Sequence, residues 1–234
     1  MNKAVADHSD VSFMVSLMTI GNHDSYSNQY TLHFNNPNAF SEEDTEYTTG
    51  KTKAGTDYYY TYGDVLFIVL DTNNYNCATH ENVIKKAINE NQDAKWRVVM
   101  FHQDIYGSGV HHSESDGMIL RTQLTPIFDE NDIDVVLQGH DHTYSRSYQL
   151  TGDGKEHTAY DTTNHNKYDA EFLAQNNCYV VAGDTASGTV VNPEGTVYLE
   201  ANSSTGSKFY ELNPSQLMME LQERNLTVPL VIQS

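Results

Sequence analysis

The chain has 234 residues, which is enough for one large domain with a buried core. Its 32 acidic and 13 basic side chains give a formal net charge of -19, which disfavours duplex DNA, RNA and anionic membranes as partners. No apolar run reaches membrane-spanning length, the start of the chain lacks the order of a signal peptide, and Cys77 and Cys178 indicate neither a thiolate zinc motif nor a disulfide framework.

Up to about residue 138, apolar strands are expected to alternate with amphipathic helices. Val11–Ile20 predicts a strand, or a short helix leading into one, and residues 25–56 are polar and predict loop. Gly63 and Asp64 predict a tight hairpin between two strands. Strands are expected at Tyr58–Tyr62, Val65–Leu70, Trp96–Phe101 and Val135–Leu137, and helices at Thr79–Glu90, capped by Thr79, and Met118–Asn131. This order predicts an α/β layered sheet.

The C-terminal part of the chain has a different pattern. Residues 151–176 are a polar insertion and predict a long loop near the site. Further strands are expected at Tyr179–Ala182, Thr196–Leu199 and Lys208–Leu212, and they should extend a second sheet packed on the first. We expect residues 1–234 to form a single domain.

Three apolar strands end in polar clusters that contain histidine. These clusters are Asn22-His23-Asp24, His102 and His140-Asp141-His142. Because the carboxyl ends of strands in an open α/β sheet lie along one edge, the three clusters should meet in space. The sequence therefore predicts a polar site at this edge.

The segment Gly139-His140-Asp141-His142 has the pattern of a metal site. In an extended chain, residues i and i+2 point the same way, so His140 and His142 would face one pocket while Asp141 turns aside. Gly139 would let the backbone bend beside them. A His-x-His pair is weak by itself, since exposed histidine pairs are common.

Each of the other candidates has an ordinary structural interpretation as well. Asn22-His23-Asp24 alone would be a turn after a strand. Asp71 and Asn73 either hydrogen-bond their own turn or support the site from the same sheet edge. Other histidines in polar surroundings are predicted to lie on the surface, namely His80, His157 and His165.

The motifs occur together in an order that resembles a known family. They are Gly21-Asn22-His23-Asp24, His102 and Gly139–His142, with the stretch Phe101–Ser108 followed by His111, His112 and Arg121. These residues resemble the later motifs of the calcineurin-like metallophosphoesterases, and in particular the purple acid phosphatases. The resemblance spans about Leu17 to Leu212 and implies a layered α/β/β/α sandwich of two mixed sheets.

The resemblance also implies roles for individual residues. Asn22, His102 and His140 would bind one metal ion, and His142 would bind a second. Two divalent or trivalent ions, of iron, zinc or manganese, would form the centre, and amide oxygen and imidazole suit ions of this type. The phosphate-contacting residues would be His23, with Asp24 holding its tautomer, and His111 and His112 on a loop.

One part of the family pattern is absent. The family has an aspartate and a Gly-Asp strand end with a further ligand before Gly-Asn-His-Asp, and the residues before Gly21 do not match them. We therefore expect a catalytic domain that lacks its first strands, truncated at its N-terminus.

Two functions follow. The first is metal-dependent hydrolysis of phosphate esters, with a small molecule or phosphoprotein as substrate. The alternative is a non-catalytic module that binds phosphate or metal. The abundance of Tyr, Asn, Thr and Ser beside few Lys favours a secreted or cell-envelope protein.

Overall fold

The computed structural model describes residues 18–40, 51–109, 116–158, 170–183, 190–202 and 208–212. The helices are α1 (Gln29–His33), α2 (Cys77–Glu90), α3 (Asp116–Glu130) and α4 (Ala170–Gln175). The strands are β1 (Lys51–Thr52), β2 (Gly55–Thr56), β3 (Tyr58–Tyr62), β4 (Val65–Val69), β5 (Trp96–Met100), β6 (Val135–Gln138), β7 (Tyr144–Thr151), β8 (Val180–Gly183) and β9 (Thr196–Ala201). No helix in these ranges is both long enough and apolar enough to span a membrane.

A mixed sheet in the strand order β3-β4-β5-β6-β9-β7-β8 organises the described residues. Its centre is parallel, because β4, β5, β6 and β9 run in one direction. β3 pairs antiparallel with β4 at one edge, and β7 pairs antiparallel with both β9 and β8 at the other. A mixed α/β fold with a large mixed sheet confirms the predicted fold class.

The β3–β4 hairpin forms as predicted. Tyr62 lies opposite Val65, and Gly63 takes a φ of 58° in the connection, a conformation that glycine adopts at little cost. Inward-facing Leu66 and Ile68 are fully buried, so alternate residues of β4 contribute to the core. The alternating burial of β4 therefore fixes its pairing register with β3, and the chain continues from β4 to Asp71.

Two helices pack on the sheet through the apolar residues that predicted them. Val83, Ile84 and Ala87 of α2 and Leu120 and Leu124 of α3 are fully buried in one core with β4, β5 and β6. Thr79 was wrongly predicted as the cap of α2. The helix begins at Cys77, and Thr79 is buried inside its first turn.

The late strands differ from the expectation of a second sheet. β9 pairs parallel with β6 and antiparallel with β7, so the late strands join the first sheet in the described part of the chain. A register shift between Arg146 and Gln149 interrupts the antiparallel pairing of the long strand β7 with β9. At Lys208–Leu212 the described residues show one bridge, between Leu212 and Gly109, instead of a strand, and the polar insertion contains α4.

Several predictions lie partly or wholly outside the described residues, among them parts of the ranges 25–56 and 151–176. The strand at Val11–Ile20 is described only at residues 18–20, which have no regular secondary structure. His111 and His112 lie outside the description altogether, as does His165.

Candidate metal centre

Neighbouring parallel strands bring two histidines to the same level of the sheet edge. His102 follows β5 by two residues, and His140 follows β6 by two residues. Backbone bonding continues past both strands, because Phe101 N–H donates to Leu137 O at 3.1 Å and Gly139 N–H donates to the carbonyl of His102 at 3.0 Å. The two imidazoles are therefore held side by side by the backbone.

Asn22 reaches the same point from a tight turn. The N–H groups of Asp24 and Ser25 donate to Gly21 O at 3.0 and 3.1 Å, and Ser25 Oγ donates to Asn22 O at 2.9 Å. Asn22 Oδ1 then lies 3.0 Å from His102 Nε2, and His140 Nδ1 lies 3.1 Å from the same nitrogen. The structure thus brings together the three residues that the resemblance assigns to one metal ion.

These three atoms have the chemistry and the spacing of metal ligands. Zinc and similar ions bind imidazole nitrogen and oxygen at about 2.0–2.2 Å, so neighbouring ligand atoms lie roughly 3.0–3.4 Å apart. The observed separations of 3.0 and 3.1 Å fall within that range. Among the described residues no group of three or more His, Cys, Asp or Glu is arranged to hold a metal. The ligand set found here is therefore two imidazoles and one amide.

His140 lies in a backbone conformation that extended-chain reasoning does not predict. Its φ is 71°, and Asp141 N–H donates to Gly139 O at 2.8 Å, so His140 is the centre of a γ-turn. Positive φ is uncommon for non-glycine residues and collects at functional sites. The prediction that His140 and His142 share a face assumed an extended chain. That assumption is wrong, because the chain turns at His140.

Gly139 lies close to His102 but does not provide the bend at this site. A Cβ at this position would lie 3.4 Å from the carbonyl oxygen of His102, which is the near limit of ordinary van der Waals contact. The left-handed backbone falls on His140 instead.

The electrostatic surroundings keep His140 neutral. Burial lowers its pKa below the ordinary value, His142 and His23 lower it further, and Asp116 and Asp141 oppose the shift. A neutral imidazole is the form that binds metal. Asp116 Oδ2 lies 3.8 Å from His140 Nε2, on the far side of the ring from His102.

Asp116 and two tyrosines were not predicted as parts of the site. Asp116 is the first residue of α3, where the sequence predicted no helix yet. Burial, with the nearby Asp116 and Tyr26, raises the pKa of Tyr75 to about 12. Tyr75 is partly buried, with 41% of its surface exposed, and it lies near both Asp116 and the more exposed Tyr26.

His142 lies close enough to His140 to lower its pKa. Its Nδ1 is buried and has no hydrogen-bond partner among the described residues, while its ring packs 4.7 Å from the ring of Tyr210. Tyr210 N–H also donates to His142 O at 3.2 Å. An unpartnered, buried imidazole nitrogen is consistent with a ligand atom, and the assignment of His142 to a second ion stays a prediction.

His23 and Asp24 are both exposed on the turn that carries Asn22. His23 lies near enough to His140 to lower its pKa. Asp24 Oδ2 lies on the Gly21 side, 3.0 Å from where a Cβ of Gly21 would be. In the described residues no hydrogen bond joins Asp24 to His23. The role of Asp24 in fixing the tautomer of His23 therefore stays a prediction.

The prediction that His80 lies on the surface is wrong. His80 is fully buried, with Nδ1 at 2.6 Å from Asp57 Oδ2 and Nε2 at 2.8 Å from Asn74 O. Both nitrogens face acceptors, so the ring carries both protons. Burial opposes this charge, but the charge and hydrogen bond of Asp57 outweigh it and raise the pKa of His80. The polar residues next to His80 in the sequence led to the wrong prediction of a surface position.

A second buried cluster consists of Asp104, Asp141 and Glu200. Asp141 turns away from the histidines, as predicted, and its Oδ2 accepts from Ser108 N–H at 3.0 Å and from Gly109 N–H. Burial first, and then the charges of Asp104 and Asp141, raise the pKa of Glu200 to about 10. Glu200 lies in β9 opposite Gln138, and only this cross-strand pairing identifies it as a neighbour of the site.

Comparisons with known proteins show what the chain is similar to. A family model described as calcineurin-like phosphoesterase matches residues 5–144. Purple acid phosphatase 19 of Arabidopsis thaliana is 33% identical over 66 residues, which are 28% of this chain and 16% of that protein. Purple acid phosphatase PPD1 from yellow lupin (Lupinus luteus) seeds has a TM-score of 0.44 at 18% identity, over 74% of this chain and 27% of that one. The chain therefore spans less than a third of either relative.

Proposed function

The chain belongs to the calcineurin-like phosphoesterase family, and from that premise we propose that it binds a metal ion through Asn22, His102 and His140 and hydrolyses phosphate esters. The observation that carries the proposal is that Asn22 Oδ1 and His140 Nδ1, from segments far apart in the chain, lie 3.0 and 3.1 Å from His102 Nε2. The donor types suit iron, zinc or manganese.

The ion would supply Lewis-acid polarisation of a phosphoryl oxygen and acidification of a bound water. The side chains of the protein would bind the ion, donate the proton and stabilise charge on the phosphate. His102 and His140 would present neutral nitrogens, since the pKa of His140 lies below its ordinary value. His23, exposed beside them, would donate a proton to the leaving alkoxide or stabilise charge on phosphate.

The substrate would be the phosphate ester of a small molecule or of a phosphoprotein. The organic part of the ester would lie against the exposed rings of Tyr26 and Tyr75, which neighbour Asp116. The net charge of -19 makes nucleic acid a poor substrate. A protein rich in Tyr, Asn, Thr and Ser with few Lys would act outside the cell or at the envelope.

A second candidate is a module that binds metal or phosphate without catalysis. The described residues provide three ligand atoms for one ion, and no carboxylate belongs to that set. A second ion would rely on His142 and on ligands beyond the described residues. A dinuclear centre is therefore part of the proposal and requires a direct count of bound metal.

Calorimetric titration of the full chain with Mn²⁺ and Zn²⁺, followed by hydrolysis of p-nitrophenyl phosphate, separates these functions. We expect binding of at least one ion in the wild type and its loss in His102→Ala. His33→Ala, which removes an exposed histidine of α1, is the matched control and should bind normally. Binding with turnover supports the phosphoesterase, binding without turnover supports the metal-binding module, and no binding of either ion overturns both of these.

A further inference from the structure

The side chain of Asn73 joins three separate segments of the chain. Asn73 lies in the loop after β4. Its Nδ2 donates to the carbonyl of Ile20 at 2.9 Å and to Asp71 Oδ1 at 2.9 Å. Its Oδ1 accepts from Gln103 Nε2 at 3.0 Å. The side-chain amide of Asn73 therefore hydrogen-bonds Ile20, Asp71 of its own loop and Gln103 at the same time.

The two outer partners are next to metal-ligand candidates. Ile20 precedes Asn22 by two residues and enters the turn that presents its amide oxygen. Gln103 directly follows His102 and is almost fully buried. Asn73 therefore connects the turn of Asn22 to the strand end of His102, although these residues are 80 positions apart.

The loop that carries Asn73 is itself held firmly. Asp71 Oδ2 accepts from Thr52 Oγ1 at 2.6 Å, and Asp71 N–H donates to Asp57 Oδ1 at 2.7 Å. Asp57 in turn pairs with the buried His80. Thr72 Oγ1 also donates to Gln103 Oε1. Because these hydrogen bonds fix the loop, the Asn73 side chain can hold Ile20 and Gln103 in defined positions.

We propose that Asn73 is a positioning residue of the metal centre, which holds Asn22 Oδ1 and His102 Nε2 at the spacing that an ion requires. It does so through Ile20 and Gln103. The inference rests on the proposed function, since it concerns the affinity of the same three-ligand site. Residues that orient metal ligands typically change metal affinity by about 10–100-fold when mutated.

Titration of the full chain with Co²⁺ tests this role, by calorimetry and by the visible absorption of the bound ion, alongside thermal unfolding without metal. We expect Asn73→Ala to weaken Co²⁺ binding by about tenfold, the lower end of the range for groups bonded to the ligands themselves, because Asn73 acts through Ile20 and Gln103. The visible spectrum should also change, because the ligand geometry loosens. Asn91→Ala is the matched control. The Asn91 amide donates to Ala87 O at 2.8 Å at the end of α2, so its loss should lower stability but leave the spectrum unchanged.

Asn73→Ser is the milder variant if Asn73→Ala does not fold, since serine is polar and uncharged but too short to reach both partners. The proposal is overturned if the folded Asn73 variants bind Co²⁺ as tightly as the wild type with the same spectrum, or lose no more affinity than Asn91→Ala. If the wild type itself does not bind Co²⁺, the proposed function fails first. The two failures are thereby distinguished.

Discussion

Two buried polar clusters lie next to the three candidate ligands, and they deal with charge in opposite ways. In one, which we call the paired cluster, His80 and Asp57 place opposite charges 2.6 Å apart, with Asp71 bonded to Asp57. In the other, the acidic cluster, Asp104, Asp141 and Glu200 are all carboxylic acids. Both clusters are almost fully removed from solvent.

The difference shows what burial permits near a metal site. In the paired cluster, His80 and Asp57 keep their charges because each is the other's partner at hydrogen-bond distance. In the acidic cluster, burial and the two neighbouring acids raise the pKa of Glu200 to about 10, so Glu200 is neutral at pH 7. Burying an ion costs much free energy unless it is paired with an opposite charge, and a buried acid among other acids instead takes up a proton. The predictions below test this contrast, beginning with the largest effect.

Removing the cation of the paired cluster should cost most. His80→Ala leaves the Asp57 carboxylate buried without its partner, and we expect the free energy of unfolding to fall by about 3–5 kcal/mol. Urea unfolding at pH 6 measures this. Lys85→Ala is the control, because it breaks only the surface pair with Glu81 and should change stability little. A loss as small as that of the control would contradict the charged pair.

The same kind of change in the acidic cluster should have the opposite sign. Glu200→Gln replaces a carboxyl that folding forces to stay protonated with an amide that never ionises. We expect it to raise the free energy of unfolding by about 1–3 kcal/mol at pH 7. Glu156→Gln, at an exposed position, should have no effect. Destabilisation by Glu200→Gln would show that Glu200 is ionised and held by a partner.

Both clusters should make the protein less stable as the pH rises. The pKa of His80 is raised by folding, so its contribution is complete below its unfolded pKa of about 6.5 and is lost as the pH passes its folded pKa. The pKa of Glu200 is also raised, to about 10, so its cost grows from the unfolded pKa of about 4.5 toward 10. We expect a lower melting temperature at pH 9 than at pH 6.

The Glu200→Gln variant separates the two contributions to that slope, because its melting temperature should depend less on pH than that of the wild type. His80→Ala should remove the other part. A melting temperature that rises between pH 6 and pH 9 in the wild type would be incompatible with both assignments.

The smallest effect is expected from a charge outside both clusters. Asp116 Oδ2 lies 3.8 Å from His140 Nε2, so its charge should favour the N–H on that nitrogen and leave Nδ1 for the ion. Asp116→Asn should weaken Co²⁺ binding by about threefold to tenfold, less than for directly bonded partners. Asp64→Asn, on the exposed pair with Lys95, is the control. If Asp116→Asn and Asp64→Asn bind Co²⁺ with equal affinity, Asp116 has no role in metal binding.

Local patterns were sufficient to predict much of the fold. The strands β3, β4, β5 and β6 and the helices α2 and α3 occur within a few residues of their predicted bounds, because apolar periodicity reports which face of each element is buried. β7 was not predicted, since its polar sequence lacks a continuous apolar run. The pairing of β9 between β6 and β7 depends on contacts between distant segments, which no local pattern contains.

The sequence by itself determined which residue types follow each strand, and so it predicted that Asn22, His102 and His140 would meet at one edge. Only the tertiary structure decided the γ-turn at His140, the burial of His80, the neutral state of Glu200 and the bridging amide of Asn73. The physical reason is that composition and periodicity specify a side chain's own preferences. Its charge state and its hydrogen bonds are set by neighbours that folding brings from elsewhere in the chain.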